Sequence, residues 1–220
     1  MRSPKVMKTI YSVIVVLVCL LMVSCDDDPG LDPNDSRLPA YSNKGYNIAA
    51  ALINNVVWNA ENRAPWNMGY VYASTLDVFK TDSLIFAISG IKKNEKNKRL
   101  IIDISFHLSN LNIKTYSDLK ALENKLFILD GQKNYAELND DDCYLYKNGV
   151  GNFLIKSVKE VTNVTSYGKD PKEFHIHPII ISGTFELKFK NPKETLSVDK
   201  GRFDFVANIA EIVNPGSEAE

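Results

Sequence analysis

Cys25 is the residue whose setting points most directly to a chemical reaction. It follows an apolar run that ends in Leu21-Met22-Val23-Ser24, and Ser24 is small enough to seat a signal peptidase before the cleaved bond. This pattern resembles the bacterial lipobox, a short motif whose cysteine is acylated and becomes the new N-terminus. Two or more acyl chains hold a protein stably on a membrane. The sequence therefore predicts a lipoprotein that is lipidated at Cys25.

Three acidic residues, Asp26, Asp27 and Asp28, follow the predicted lipidation site directly. The run resembles the surface-export signal of Bacteroidota lipoproteins, which implies an outer-membrane protein exposed at the cell surface. Asp directly after the lipidated cysteine also resembles an inner-membrane retention signal of some Gram-negative bacteria. Like charges can, in addition, simply keep a segment extended. We expect the surface address, with the periplasmic face as the alternative.

The first 24 residues supply what a signal peptide needs. Three basic residues lie before residue 10, and the range Ile10–Val23 is almost wholly apolar. That run is shorter than the roughly 20 residues of a membrane-spanning helix, and it has the length of a signal-peptide core. We predict a signal peptide over residues 1–24, with a permanent transmembrane anchor as the alternative.

Charge and cysteine content narrow the classes of function. Residues 1–24 hold three of the 26 basic residues and none of the 27 acidic ones, which leaves 23 basic against 27 acidic residues and a net charge of −4. This charge gives no electrostatic basis for binding nucleic acid. Cys19 would leave with the signal peptide and Cys25 would carry lipid, so Cys143 has no disulfide partner. A packed core must therefore stabilise the domain.

His175 and His177 stand at the spacing that places two side chains on one face of a strand, about 7 Å apart. Such a pair could bind a metal if His107 or an acidic residue supplied a third ligand. No cysteine or glutamate at ligand spacing accompanies them, and Pro178 is typical of a strand edge with solvated side chains. We expect surface histidines and no metal or other cofactor.

Four aromatic residues lie within fifteen positions, namely Trp58, Trp66, Tyr70 and Tyr72. Exposed on a β surface, such rings would form a stacking platform for sugars, whereas in a core their burial is strongly favourable. Trp58 follows two valines and is predicted to be in the core. Trp66 is expected in a loop, and Trp66, Tyr70 and Tyr72 are the candidate ligand contacts.

The elements that must position these residues are mostly strands. Apolar and polar residues alternate in Leu100–Ser109, Phe185–Lys190 and Phe203–Asn208, which is typical of strands with one buried face. Many short strands separated by turns favour an antiparallel sandwich or barrel. Turn signals lie at Asn54-Asn55, Asp130-Gly131, Asn148-Gly149 and Lys200-Gly201.

We accordingly predict an all-β fold, a single antiparallel β-sandwich or barrel-like domain over residues 43–214. One short helix is expected near residues 116–124, and residues 215–220 form a C-terminal tail. The segment 25–42 is rich in Asp, Pro and Gly and is predicted to be an extended tether. Residues 26–42 would reach roughly 55 Å at most.

Three short strand motifs stand out, namely Ala49–Ala60, Ile181–Leu187 and Val198–Asp204. They resemble the opening and closing strand pairs of a Bacteroidota lipoprotein family of unknown function. The resemblance covers roughly residues 45–206 and implies no catalytic residues. Within it, Gly183 and Gly201 are expected where a bulge or turn requires a residue without Cβ.

The expected function is a non-enzymatic, surface-anchored domain that binds a glycan, a protein or a small apolar ligand, or acts as an accessory subunit. The alternative is a structural or adhesion component that assembles through its strand edges. A hydrolase would need perturbed carboxylates or a His-paired nucleophile. No such arrangement is visible in the sequence, which also lacks a Gly-x-Ser-x-Gly frame.

Overall fold

The structure, a computed structural model, describes residues 29–61, 74–79, 83–93, 99–113, 116–140, 145–161, 177–190 and 194–209. These ranges contain twelve strands and one short helix, so the all-β prediction is confirmed. The strands are β1 (Leu31–Asp32), β2 (Asp35–Pro39), β3 (Ile48–Ile53), β4 (Val56–Glu61), β5 (Ser74–Phe79), β6 (Ser83–Lys93), β7 (Arg99–Ser109), β8 (Lys125–Asp130), β9 (Tyr135–Asp140), β10 (Leu145–Glu160), β11 (His177–Lys190) and β12 (Thr195–Ile209), and the helix is α1 (Tyr116–Lys120).

Eight strands close into an antiparallel barrel in the order β11-β12-β3-β4-β6-β7-β9-β10, because β10 pairs back onto β11. Two long strands, β6 and β10, each pair with two shorter strands along one of their edges. β6 pairs with β5 near its start and with β4 near its end, while β10 pairs first with β9 and then with β8. β1 and β2 form a separate small hairpin. The predicted sandwich or barrel is thus a barrel.

The barrel interior is filled with side chains. The alternation predicted for β7 is confirmed, since Ile102, Ile104, Phe106 and Leu108 are all buried. Six buried phenylalanines contact one another across the interior, with ring centroids 4.3 to 6.5 Å apart. They are Phe86, Phe106, Phe153, Phe185, Phe203 and Phe205. An apolar ligand inside the barrel would have to displace these rings, as expected for a barrel of this strand number.

Trp58 lies in this core, as predicted from the sequence. Its side chain is fully buried, and its indole Nε1 donates a hydrogen bond to the carbonyl of Ile102 at 3.1 Å. That bond satisfies the one polar atom of a buried tryptophan side chain. Trp58 is therefore a structural residue of the barrel.

Two of the four predicted turns are turns, and two are bulges. Asn54 and Asn55 have φ of 48° and 64° and connect β3 to β4 in a two-residue hairpin, and Gly131 begins the β8–β9 connection. Asn148-Gly149 and Lys200-Gly201 instead lie inside β10 and β12, where the strand register shifts. A positive φ is needed in both settings, so the same residue types mark a turn or a bulge.

The predicted helix is shorter than residues 116–124. α1 ends at Lys120, and a turn follows in which Leu122 N–H donates to the carbonyl of Leu119 at 3.0 Å. Both leucines are buried against the barrel core. Asn124, at a φ of 60°, then reverses the chain into β8.

Residues 29–42 differ from the predicted extended tether. They include the β1–β2 hairpin, whose Leu38 is 0% exposed and packs against Ala50 and Leu52 of β3. The composition of this segment favours exposure to solvent. The buried Leu38 and the polar contacts to β12 nevertheless hold it against the barrel. The tether prediction can therefore apply only to the residues before Pro29.

Candidate functional site

The β1–β2 hairpin is fastened to β12 by Arg202. Its Nη1 donates to Asp32 Oδ2 at 2.5 Å and to the carbonyl oxygen of Pro39 at 2.8 Å. The side chains of Arg202 and Asp32 are only 12% and 15% exposed. Charge-assisted hydrogen bonds of this kind are stronger than neutral ones, so this pair fixes where the hairpin lies.

A second contact joins β2 to the bulge of β12. Asp35 accepts hydrogen bonds from Arg37 Nε and from Lys200 Nζ, both at 2.9 Å. Arg37 first, and then Lys200, holds the pKa of the Asp35 carboxyl well below its usual value. The carboxylate therefore stays charged, and the contact persists, at physiological pH.

The third contact is the most buried. Asp204 is 1% exposed, and its carboxylate accepts the backbone N–H groups of Lys44, Gly45 and Tyr46 at 3.1, 2.8 and 3.3 Å. Successive backbone N–H groups that converge in this way form an anion-binding concavity, occupied here by the protein's own carboxylate. Asp204 thereby fixes the loop before β3. We call these three contacts, made by Asp32, Asp35, Asp204, Lys200 and Arg202, the N-terminal clamp.

An open cleft of about 380 Å³ lies beside the clamp. Its size falls within the range of small-molecule sites. Its lining combines two phenol rings, a hydroxyl, an amide and an ammonium group, which come from residues close together in sequence. The lining residues are Pro29, Gly30, Tyr41, Ser42, Asn43, Lys44 and Tyr46.

Tyr41 is held from two directions although its side chain is partly exposed. Its hydroxyl lies 2.9 Å from the buried Ser182 Oγ, and the Lys156 ammonium lies 4.5 Å from the centroid of its ring. Burial raises the pKa of Tyr41, so the hydroxyl remains neutral at physiological pH. The ring is therefore a fixed, neutral surface in the cleft.

Lysines surround the same loop. The Lys44 ammonium lies 5.7 Å from the Tyr46 ring centroid, and Lys159 Nζ donates to the carbonyl of Asn43 at 3.1 Å. Together with Lys156 they place three cations around the cleft. A cation within about 6 Å of an aromatic ring is attracted to it, which helps to orient Lys44.

Most of the sequence-predicted site residues lie outside the described residues. This holds for Cys25, for Asp26 to Asp28, for Trp66, Tyr70 and Tyr72, and for His175. His177 is the first residue of β11 and pairs with Ile209. Their predicted roles stay predictions, and no contact among them is described.

The cleft residues were not among the sequence candidates. Tyr41 lies in the segment that the sequence predicts to be a tether, and Tyr46 lies just inside the predicted domain. The signal that could have found them is two tyrosines that flank the polar run Ser42-Asn43-Lys44. In the part of the chain that the structure describes, no three His, Cys, Asp or Glu side chains gather as a metal site. Within the same ranges no helix has the length and apolarity needed to cross a membrane.

His107 is the third histidine of the sequence, and its position is described. Its ring stacks on that of Tyr135 with centroids 4.4 Å apart, and its Nε2 lies 3.7 Å from Glu137 Oε2. Nε2 is buried and makes no hydrogen bond to any described residue. Burial lowers the pKa of His107, and the Glu137 carboxylate offsets only part of this effect.

This environment predicts an acid-sensitive contribution from His107. The pKa of His107 in the folded state lies below the ordinary histidine value of 6.5, so the unfolded chain binds the proton more readily and stability is lost as the pH falls below about 7. We expect the melting temperature of the wild type to fall roughly 2 °C further between pH 7.5 and 5.5 than that of His107→Gln. Differential scanning calorimetry at the two pH values measures this. Parallel curves for the two proteins would contradict it.

No protein-family model, curated protein or solved structure matches the chain.

Proposed function

We propose that this chain is a lipoprotein of the Bacteroidota type, anchored in the outer membrane through Cys25, and that its barrel is a non-enzymatic binding or accessory domain. The lipobox pattern and the acidic run Asp26 to Asp28 support the anchor and the surface address. The filled barrel interior supports ligand contact outside the barrel, and the cleft beside the N-terminal clamp is a candidate place for it among the described residues.

The lipobox pattern that ends in Cys25 carries this proposal, and the N-terminal hairpin limits how far from the membrane the barrel would lie. The carbonyl oxygen of Gly30 already accepts a hydrogen bond from Ala40 N–H at 2.8 Å, so the folded hairpin begins there. Gly30 lies five positions after Cys25, and five residues span at most ~18 Å. A lipid on Cys25 would thus hold the barrel against the membrane surface and bring the cleft close to the polar head groups.

A structural or adhesion role is the second candidate, and β8 is the observation that favours it. Among the described strands β8 pairs with β10 alone, and Leu126 and Ile128 on its outer face are 53% and 59% exposed. Exposed apolar strands at a sheet edge are suited to pairing with another chain. A protein that stays monomeric at every concentration would remove this candidate.

Metabolic labelling with an alkyne-tagged fatty acid tests the anchor. We expect the wild type to be labelled and to sediment with membranes, and Cys25→Ala to lose the label completely, because the thiol that would be acylated is absent. Cys25 is predicted to be the first residue of the mature chain and precedes every described strand, so we expect the barrel of the variant to fold normally. Cys143→Ala is the matched control, because that thiol is predicted to carry no lipid and the variant should remain labelled.

Label that persists on Cys25→Ala would contradict the lipidation site. Protease added to intact cells tests the surface address separately. Digestion of the protein alongside a known surface marker supports it, whereas digestion of the marker alone would place the domain on the periplasmic face and leave the anchor intact.

A further inference from the structure

We infer that two copies of this chain pair through strand β8, so that their barrels join edge to edge about a two-fold axis between the two Phe127 residues. The inference rests on the structural role that is the second candidate above, and it names the partner as a second copy and gives the register of the pairing. It depends on neither the lipid anchor nor the cleft. Its support comes from the backbone groups of β8, from its side chains and from the way the neighbouring edge is closed.

β8 is a regular edge strand whose two ends are closed by hydrogen bonds. It pairs with β10 over its whole length without a register shift. At its start, Lys125 N–H donates to the carbonyl of Leu122 at 3.0 Å. At its end, Asp130 N–H donates to the carbonyl of Asn134 at 2.9 Å. The part of the edge that can accept a new strand therefore lies between these two residues.

The backbone groups that face away from β10 in this part belong to Leu126 and Ile128. In an antiparallel ladder, the residues whose N–H and C=O groups point to one neighbour alternate with those whose groups point to the other. Asn134 Nδ2 reaches the carbonyl of Ile128 at 3.4 Å, and Asn134 Oδ1 accepts from Ser109 N–H at the end of β7, so this side chain lies on the side of β8 away from β10. Ile128, and with it Leu126, therefore presents its backbone groups outward.

The same edge of the sheet is closed where β10 extends beyond β8. There Lys120 Nζ donates to the carbonyl of Val158 at 2.6 Å, and Val158 N–H donates to Glu123 Oε1 at 3.3 Å. These two side chains take the place of a neighbouring strand, which protects an edge from pairing with another chain. Within the described ranges β8 has no such cover, and its charged residues, Lys125 and Asp130, stand only at its ends.

Antiparallel pairing with Phe127 opposite Phe127 of a second copy provides partners for these groups. Leu126 of one copy and Ile128 of the other would exchange two N–H···O hydrogen bonds, and the two-fold symmetry makes this four. Both side chains lie on the outer face and are more than half exposed. Directly opposite each other in the pair, they would cover one another's apolar surface.

Other antiparallel registers fit less well. A shift of one residue places Leu126 opposite a residue of the buried face. A shift of two residues places Leu126 opposite Asp130 in one direction, and Ile128 opposite Asn124 in the other. The register centred on Phe127 gives both exposed apolar side chains an apolar partner, which is why we choose it.

Sedimentation velocity on the full mature chain, residues 25–220, tests the inference. Cys25→Ala and Cys143→Ala are introduced throughout, so that neither lipid nor a native thiol contributes to association. We expect the chain to shift from monomer to dimer between ~10 μM and ~1 mM, because one pair of short strands makes a small interface. Leu126→Lys should weaken dimerisation about tenfold or more, because it places a charge against the apolar partner. Val56→Lys, at an exposed apolar position of β4, is the matched control and should dimerise as its parent does.

Ile128→Lys is a second variant with the same expected effect. Since both side chains are exposed, the two lysine variants should fold, and circular dichroism checks this.

Disulfide crosslinking tests the register. Opposite residues of a hydrogen-bonded pair have Cα atoms about 5.5 Å apart, within the range that a disulfide can bridge. A mixture of Leu126→Cys and Ile128→Cys chains should therefore crosslink under mild oxidation. Each variant alone should crosslink far less, because its two cysteines would lie two positions out of register, at roughly 8 to 9 Å, beyond the reach of a disulfide.

The outcomes separate this inference from the proposed function. A chain that stays monomeric at the highest concentration would overturn the inference together with the second candidate, while the fatty-acid labelling decides the anchor independently. A dimer that survives Leu126→Lys, or that crosslinks equally in each single variant, would overturn the inference and leave assembly through another edge or register standing. A monomer that sediments with vesicles of phosphatidylethanolamine and phosphatidylglycerol, and loses this in Leu126→Lys, would assign the exposed side chains to a lipid surface and also overturn it.

Discussion

Asp204→Ala is expected to lower the free energy of unfolding by roughly 3 kcal/mol or more, because three backbone donors lose their acceptor. The carboxylate is 1% exposed and accepts the N–H groups of Lys44, Gly45 and Tyr46, so water cannot replace it without a change in the loop. The variant should also lose the cleft, since the loop would no longer be fixed. Urea unfolding followed by circular dichroism measures the change in stability.

Two further variants provide reference values for the loss of stability that is expected in Asp204→Ala. Asp204→Asn keeps one carbonyl oxygen in nearly the same volume and should be destabilised to an intermediate extent. Asp199→Ala, at an exposed position of the same strand, should lie within about 0.5 kcal/mol of the wild type. If Asp204→Ala unfolded at the same urea concentration as Asp199→Ala, the N-terminal clamp would have no energetic importance.

Gly183→Ala has the second large expected effect. A Cβ at this position would lie 2.0 Å from the carbonyl oxygen of Leu154 and 2.7 Å from Cζ of Phe203. The first contact is with backbone in the paired strand β10, so it can be relieved only by moving β10 and β11 apart. We expect a loss of roughly 3 kcal/mol, or failure to fold, which urea unfolding and the yield of soluble protein would measure.

Gly30→Ala is the matched control for this substitution. Nothing lies within 4 Å of a Cβ at Gly30, and only its φ of +71° disfavours alanine, at a cost of about 1 kcal/mol. Equal destabilisation by the two substitutions would show that β10 and β11 are not packed as closely as the structure indicates.

The faces of the strands could be predicted from the sequence, and the closure of the barrel could not. In β7 and β11 the polarity of each side chain predicts whether it faces the core or the solvent, because successive residues of a strand alternate between the two faces. Barrel closure depends on β10 pairing with β11, and nothing local to either strand specifies its partner. The expectation that Gly183 and Gly201 lie where no Cβ fits is confirmed by the contacts at both positions.

The N-terminal segment could not be predicted, for a related reason. The high content of Pro, Gly and Asp in this segment favours a solvated tether. The residues that hold this segment are Arg202 and Asp204, which lie some 160 to 170 positions later in the chain. Only the folded barrel brings them next to Asp32 and Gly45. The N-terminal clamp and the cleft that depends on it therefore could not be predicted from the sequence.

Hydrogen–deuterium exchange across residues 41–47 tests directly whether this segment belongs to the folded domain. At neutral pH we expect the amides of Lys44, Gly45 and Tyr46 to be protected to nearly the same extent as those of β12, and to lose that protection in Asp204→Ala. Exchange in the wild type as fast as in an unstructured linker would contradict the account.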